Sequence, residues 1–229
     1  MSAVTSAFTV VFDLDGTLVD TAPDLAATLN EVFARKGFAP VPYELARNMV
    51  GGGGRRMIEL GLKREGRALP ARDVDRLFDD FITYYAAHIA DHSKPFPGLI
   101  DALDQLSARR CRFAVCTNKL EWLSRRLLDA LGLSARFVAI CGQDTFGVQK
   151  PDPEMLRRTI KQAGGHLERA VMVGDSATDI DTARAATVPV IAVDFGYTET
   201  PVTQLGPDRI IGHFDKLPGA VFELLTPRA

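Results

Sequence analysis

Short apolar runs alternate with amphipathic stretches along the second half of the chain. The runs FAVCT (113–117), FVAIC (137–141), AVMVG (170–174) and VPVIAV (188–193) are almost wholly apolar. The segments between them repeat apolar residues at helical spacing. Strands that are apolar on both faces and alternate with helices are typical of a parallel sheet covered on both sides. The pattern therefore predicts an α/β fold.

The first half of the chain has a different pattern. It opens with one apolar run, TVVF (9–12), which predicts a strand that ends before the turn at Asp15-Gly16. From Val19 to His92 the apolar positions recur at the spacing of helices, and no segment has the pattern of a strand. Pro95 and the Pro97-Gly98 pair then mark a stiff connector. A block of helices is therefore expected to interrupt the α/β domain.

Composition limits the classes of function. The 229 residues include 27 basic and 29 acidic side chains, so a net charge of −2 gives no electrostatic reason to expect a nucleic acid partner. No apolar run is long enough to cross a membrane, and the N-terminus lacks the basic segment of a signal peptide. Cys111, Cys116 and Cys141 form no paired metal motif and are expected to be buried thiols. The predicted location is the cytoplasm.

Polar residues follow the predicted strands, at the edge where a parallel sheet binds its ligands. They are Asp13, Asp15 and Thr17 (DLDGT), Thr117, Asn118 and Lys119 (TNK), Lys150 (QKPDP), and Asp175, Ser176 and Asp179 (GDSATD). Each alone is typical of a turn or a helix cap, so the argument depends on their occurring in order at successive strand ends. Clustered carboxylates favour a hard cation such as Mg²⁺, which attracts phosphate, and a carboxylate can then attack phosphorus. The set predicts phosphoryl chemistry.

These motifs resemble those of a known family. FDLDGTLVD, VCTNK, the lysine of QKPDP and VMVGDSATDI are similar to the four motifs of the haloacid dehalogenase-like hydrolases. DTAPDLAATLN, PFPGLIDALDQL and FGYT…LGPDRII resemble the phosphoglycolate phosphatase branch of that family. The resemblance implies a Rossmann-like catalytic core, residues 1–18 and 93–229, and an inserted all-helical cap domain, residues 19–92.

The resemblance also implies roles for three aspartates. Asp13 would be the nucleophile and a Mg²⁺ ligand. Asp15 would protonate the leaving oxygen, then activate water, and would bind the metal through its backbone carbonyl. Asp175 would complete the protein ligands of the metal. Dehalogenases of this family lack the acid at the position of Asp15, and ester hydrolysis needs it because an alkoxide leaves poorly without a proton.

The other motif residues are implied to hold the phosphoryl group or to support the residues that do. Thr117 and Lys150 would contact phosphoryl oxygens, helped by N–H groups near Leu14 and Asn118. The residues expected behind them are Thr17, Ser176 and Asp179. Of these, Asp179 is expected to orient Lys150 or a metal-bound water.

The glycine-rich stretch VGGGGRR (50–56) lies in the predicted cap. It has no G-K-[ST] ending and follows no strand, so it is not a nucleotide-binding loop. A glycine-rich turn that opens a helix at about Arg55 would direct N–H groups at an anion. In that case substrate specificity would depend on Gly52, Gly53, Gly54, Arg55 and Arg56. The alternative is a connector between helices with two solvated arginines.

One position departs from the family pattern. Thr187 follows the ARAA helix where relatives usually have glycine. A β-branched residue is costly in the left-handed backbone that glycine adopts at such a position. We therefore expect this helix to end differently.

The function expected from these residues is Mg²⁺-dependent hydrolysis of a small phosphorylated metabolite by a monomer or homodimer. 2-Phosphoglycolate fits because it carries one phosphate and one carboxylate. Alternatives on the same scaffold are a sugar phosphomutase and a phosphatase for pyrophosphate or an amino-sugar phosphate. A non-catalytic binding protein is a further alternative, which the presence of all the motif residues disfavours. His92, near the predicted cap boundary, is the histidine that could contact the site.

Overall fold

A parallel sheet of six strands forms the centre of the molecule. The computed structural model describes residues 8–198 and 200–226. In spatial order the strands are β5 (Ala139–Cys141), β4 (Arg112–Cys116), β1 (Thr9–Phe12), β6 (Ala170–Gly174), β7 (Val190–Val193) and β8 (Arg209–Ile211). All neighbouring pairs are parallel, and the strand order changes direction at β1. The predicted α/β class is confirmed, and the crevice at β1 is where such sheets bind ligands.

Both faces of the sheet are covered, which explains why its strands are apolar throughout. Alternate residues of β1 point to opposite faces, so Val10 and Phe12 join one apolar cluster and Val11 joins the other. The helices of the first face are α5 (Leu99–Ala108), α6 (Glu121–Ala130) and α9 (Leu217–Leu225). Those of the second face are α7 (Pro153–Gln162) and α8 (Ala177–Ala186).

Four α-helices lie between β1 and α5 in the chain, and we call them the cap helices. They are α1 (Ala22–Arg35), α2 (Tyr43–Arg47), α3 (Gly53–Arg64) and α4 (Ala71–Ala87). Their buried residues, such as Leu29, Phe33 and Phe81, belong to the same apolar cluster as the first face of the sheet. A helical cap on an α/β core is the predicted architecture. The boundaries drawn at residues 18 and 92 stay a prediction.

A short two-stranded ladder joins the two ends of this helical segment. β2 (Val19–Asp20) pairs antiparallel with β3 (Lys94–Pro95). The expectation of no strand between Val19 and His92 is therefore wrong. A pair of two-residue strands has no periodicity to detect, because the pairing depends on a partner more than seventy residues away.

The end of α8 also differs from expectation. Thr187 has φ 60° and ψ 39°, so this helix does end in a left-handed residue although the residue is not glycine. The N–H of Val188 donates to Ala183 O at 2.9 Å, as in a Schellman cap, and the Val188 side chain is buried. The hydrogen bond and the burial of Val188 offset the steric cost at Thr187.

Two further features concern the described residues. Cys111, Cys116 and Cys141 are buried free thiols. No helix in the described ranges combines the length and the apolar character needed to cross a membrane.

Candidate active site

Asp13 follows β1 directly and lies at the floor of the crevice. Its backbone N–H donates to Val173 O of β6 at 2.9 Å, which ties the residue to both central strands. The side chain is buried, and its Oδ1 lies 2.9 Å from Lys150 Nζ. Burial raises the pKa of Asp13, the Lys150 charge opposes that effect and Asp179 adds to it, so the pKa rises from 3.8 to about 6. Asp13 is a carboxylate whose charge is only partly neutralised.

Asp13, Asp175 and Asp179 form a buried carboxylate cluster. Each offers an oxygen, and these oxygens lie within 4.8 Å of one another. Asp175 is held on both sides, since Thr17 Oγ1 donates to its Oδ1 at 2.8 Å and the Tyr197 N–H donates to its Oδ2 at 2.6 Å. Burial and the neighbouring Asp179 and Asp13 charges raise the pKa of Asp175 well above its ordinary value. The cluster therefore carries more negative charge than its surroundings balance.

Lys150 is the cation closest to this cluster. Its Nζ lies 2.9 Å from Asp13 Oδ1 and donates to Asp179 Oδ1 at 2.5 Å. Burial lowers the pKa of Lys150, but the two carboxylates outweigh burial and leave it raised. The other Asp179 oxygen accepts from Ser176 Oγ at 2.7 Å in the capping box that begins α8. Asn118 positions the backbone of Lys150, to which its side-chain amide both donates and accepts, at 3.0 and 2.8 Å.

Asp15 faces away from the cluster and toward the cap helices. Lys119 Nζ donates to Asp15 Oδ1 at 2.9 Å and to Tyr85 Oη, on α4, at 2.9 Å. Burial lowers the pKa of Lys119, and the charge of Asp15 together with Tyr85 raises it by more. The sequence placed Lys119 at a strand end but assigned it no role. The position of Lys119 two residues after Thr117 was the signal that could have pointed to the site. Its contact with Tyr85 of the cap could not be found from the sequence.

Two small cavities meet above these residues. One, of about 20 Å³, lies over the floor and is lined by Asp13, Thr117 and Lys150, among others. The other, of about 70 Å³, extends beneath the cap helices between Tyr85 and Gly54. The residues that line both are Asp15, Val50, Gly53, Asn118 and Lys119. A substrate bound across them would have its phosphoryl group on the floor and its leaving group beneath the cap.

The glycine stretch forms part of the roof of the larger cavity. Val50–Gly52 is a turn of 3₁₀ helix, and α3 begins at Gly53, two residues before the predicted Arg55. Gly53 has φ +81°, which requires glycine, and a Cβ at Gly54 would lie 2.9 Å from the Phe81 ring. The glycines therefore shape the backbone and admit close helix packing.

The two predicted arginines point in different directions. Arg55 lines the larger cavity, but its Nη2 donates to Asp75 Oδ1 at 2.5 Å and both side chains are about half exposed. Arg56 lines a third, open cavity with Tyr197, and this cavity shares Gly51, Ser176 and Thr178 with the floor cavity. The structure brings neither guanidinium together with the carboxylate cluster.

Three further residues named from the sequence have the following positions. Thr117 is buried on the floor, and its Oγ1 accepts from the Lys119 N–H at 3.2 Å. Leu14 is buried, and its carbonyl accepts from the N–H groups that close the DLDGT turn. The His92 side chain is exposed and lines neither cavity, while its backbone N–H donates to the Asp24 carboxylate at 3.0 Å.

Acidic and basic residues follow the strands in a fixed order, and comparison of the whole sequence with known families agrees with this order. The sequence profile of the haloacid dehalogenase-like hydrolases matches residues 10–193. The chain belongs to this family.

Relatives within the haloacid dehalogenase-like hydrolases are similar over nearly the whole chain. Phosphoglycolate phosphatase of Mesorhizobium japonicum is 48% identical, over 96% of this chain and 97% of the relative. Phosphoglycolate phosphatase of Agrobacterium fabrum is 47% identical, over 95% and 94%. The crystal structure of a predicted phosphoglycolate phosphatase from Haemophilus somnus superposes with a TM-score of 0.87 at 26% identity, and covers 95% of this chain and 99% of that one. The predicted family and branch resemblance are confirmed.

The carboxylate cluster of this haloacid dehalogenase-like hydrolase fits a divalent cation. Asp13 Oδ1 is buried 2.9 Å from Lys150 Nζ, and the raised pKa values of Asp13 and Asp175 indicate negative charge that Lys150 does not fully balance. Asp179 Oδ1 pairs with the Lys150 cation and its Oδ2 accepts from Ser176, whereas Asp175 accepts from the neutral Thr17 hydroxyl and Tyr197 N–H. Asp13 and Asp175 are therefore the carboxylates best placed to bind a cation, and Asp179 supports Lys150.

Proposed function

We propose that this protein is a Mg²⁺-dependent phosphatase that hydrolyses 2-phosphoglycolate to glycolate and phosphate. The observation that carries the proposal is the buried set of Asp13, Lys150 and Asp175, with Asp15 between the floor and a small cavity beneath the cap. Relatives that bear the name phosphoglycolate phosphatase align over nearly the whole chain, which supports this substrate.

The first half-reaction transfers the phosphoryl group to Asp13. A carboxylate oxygen of Asp13 bonds to phosphorus while the bond from phosphorus to the ester oxygen breaks. Asp15 gives its proton to that oxygen, so the leaving group departs as an alcohol rather than an alkoxide. Lys150 and Thr117 line the floor cavity and would bind the phosphoryl oxygens during transfer.

The second half-reaction regenerates Asp13. Asp15, now a carboxylate, takes a proton from a water molecule as the water oxygen bonds to the phosphorus of the aspartyl-phosphate. The acyl oxygen of Asp13 leaves as a carboxylate, and inorganic phosphate is released. Asp15 is again protonated, so protons and charges balance over the cycle.

A cation would be held by Asp13, Asp175 and the backbone carbonyl of Asp15. Mg²⁺ bound there would supply positive charge that offsets the repulsion between the Asp13 carboxylate and a phosphate dianion. The protein residues prepare this position, since Thr17 and Tyr197 fix Asp175 by hydrogen bonds of 2.8 and 2.6 Å.

The proposal is tested by kcat/KM with Mg²⁺ for 2-phosphoglycolate against phosphosugars, pyrophosphate and p-nitrophenyl phosphate. We expect a preference of about a hundredfold for 2-phosphoglycolate, which corresponds to about 2.7 kcal/mol. Uniformly slow turnover of all these compounds would support phosphatase activity but reject 2-phosphoglycolate as the preferred substrate. A preference for a phosphosugar or pyrophosphate would favour the alternatives on the same scaffold, and no turnover of any ester would reject the phosphatase.

A further inference from the structure

Lys119 is a buried cation at the junction of the two cavities. Its side chain is 6% exposed and lines both the floor cavity and the larger cavity beneath the cap. An ammonium group has three N–H donors. These donate to both oxygens of Asp15, at 2.9 and 3.1 Å, and to the Tyr85 hydroxyl at 2.9 Å, so an anion on the cavity side would replace one of the two contacts with Asp15. A buried cation that lines a cavity in this way is suited to bind an anion there.

The other cations that line these cavities are committed elsewhere. Lys150 lies between Asp13 and Asp179 on the floor, where the phosphoryl group would bind. Arg55 is half exposed, and its guanidinium pairs with Asp75 on the outer side of α4. Of the described residues that line the two cavities, Lys119 is therefore the buried cation that lies on the side of the leaving group.

We propose that Lys119 recognises a carboxylate on the leaving part of the substrate and so determines which phosphate esters are hydrolysed. The inference rests on the proposed phosphatase function. An ester oxygen in contact with Asp15 places the next atoms of the leaving group beside Lys119, because Lys119 Nζ lies 2.9 Å from Asp15 Oδ1. In 2-phosphoglycolate a single carbon separates the ester oxygen from the carboxylate, so one molecule can contact both residues.

The cap contributes to this recognition through Tyr85. Its side chain is buried on α4, and its hydroxyl accepts from Lys119 Nζ at 2.9 Å. This contact fixes the ammonium group when the cap helices lie over the core. Phe81 and Ile82 line the same cavity and limit the size of the leaving group. The geometry selects a leaving group that is short and negatively charged.

The test compares 2-phosphoglycolate with 2-hydroxyethyl phosphate, which replaces the carboxylate by an uncharged group. We expect wild-type kcat/KM to favour 2-phosphoglycolate by about a hundredfold. Lys119→Met retains the length of the side chain without its charge and is expected to reduce that ratio to about threefold or less. Lys161→Met, at an exposed lysine on α7, is the matched control and should leave the ratio unchanged.

A binding measurement separates recognition from catalysis. With Mg²⁺ present, calorimetry should show that wild-type protein binds 3-phosphonopropionate at least about tenfold more tightly than propylphosphonate. Lys119→Met should remove this difference. If Lys119→Met does not fold, Tyr85→Phe retains the ring, removes one contact of Lys119 and should lower the kinetic ratio severalfold.

The remaining outcomes would overturn the inference. An equal loss for both esters in Lys119→Met would show that Lys119 only positions Asp15. Loss of the ratio in Arg55→Gln or Arg56→Gln would assign recognition to those arginines. An unchanged ratio in Tyr85→Phe would overturn the inference that the Lys119 ammonium, fixed by Tyr85, sets the ratio. A wild-type protein that hydrolyses both esters equally would reject the inference and leave the phosphatase. One that hydrolyses no phosphate ester would reject both.

Discussion

The strand ends of the sheet and the glycine stretch of the cap face the same cavities, but they hold their charged residues differently. On the floor, Asp13, Asp175 and Lys150 are buried, and Lys150 bonds to carboxylates from two other segments. In the cap, Arg55 and Arg56 are exposed. Burying a charge costs several kcal/mol unless it is paired, whereas an exposed arginine costs almost nothing. Buried charge is therefore evidence of function here, and exposed charge near the same cavity is not.

Removing the charge of Asp13 is expected to have the largest effect on the floor. Asn cannot attack phosphorus, so kcat of Asp13→Asn with 2-phosphoglycolate should fall by about 10⁴-fold or more. The measurement is release of inorganic phosphate under saturating substrate. Activity above about 1% of wild type in a folded Asp13→Asn protein would reject Asp13 as the nucleophile.

The free energy of unfolding of Asp13→Asn provides a second test, because a buried Asp13 carboxylate is expected to destabilise the folded state. The pKa of Asp13 rises on folding from 3.8 to about 6, so the folded state keeps a proton that the unfolded state loses between those values. The free energy of unfolding of metal-free wild type should therefore fall as pH rises from about 4 to about 6. Asn at position 13 does not titrate. The free energy of unfolding of Asp13→Asn should therefore exceed that of wild type at pH 7 by on the order of 2 kcal/mol, with a smaller difference at pH 4.

The sequence predicted the floor better than it predicted the contacts of the cap. Strands that are apolar on both faces indicated the parallel sheet, and the residues after them indicated the floor, because topology alone brings strand ends together. The contact of Lys119 with Tyr85 was not predictable, since it depends on how a cap helix docks on the core. The direction of Arg55 was not predictable either, because Asp75 lies on a different helix.

The elements that the sequence missed are short and lack a pattern. β8 (Arg209–Ile211) has three residues, of which only the last is buried. The ladder of β2 and β3 has two residues in each strand. Neither is long enough to show a period of two, and each forms because the rest of the fold presents a partner strand.

Asp24 connects the first cap helix to the segment that follows the last one, and its replacement is expected to have an intermediate effect. This buried carboxylate at the start of α1 accepts from the N–H groups of His92 and Ser93 and from Ser93 Oγ, at 2.6 to 3.1 Å. Asp24→Asn directs an NH₂ group at one of these donors and should lower the free energy of unfolding by about 2 kcal/mol. Urea denaturation measures this. Asp73→Asn changes a more exposed acid in the first turn of α4 and should shift the free energy of unfolding by less than about 0.5 kcal/mol. Equal losses of unfolding free energy in the two variants would show that the hydrogen bonds to Asp24 contribute no particular stability.

Arg55→Gln and Arg56→Gln are expected to have the smallest effects, and they test the comparison most directly. The Arg55 pair with Asp75 is solvent-exposed, so its loss should change the free energy of unfolding by less than about 0.5 kcal/mol. Neither guanidinium contacts the floor, so kcat/KM for 2-phosphoglycolate should change by less than about threefold in either variant.

Arg47→Gln is the matched control within the cap helices, because Arg47 is half-buried and donates to the carbonyls of Phe195 and Gly196 in the core, at 3.2 and 3.1 Å. The next residue of that loop donates its N–H to Asp175, so Arg47→Gln should lower kcat/KM more than either of the other variants. A loss above about tenfold in Arg55→Gln or Arg56→Gln would show that exposed charge in the glycine stretch does recognise substrate, and the contrast between floor and cap would fail.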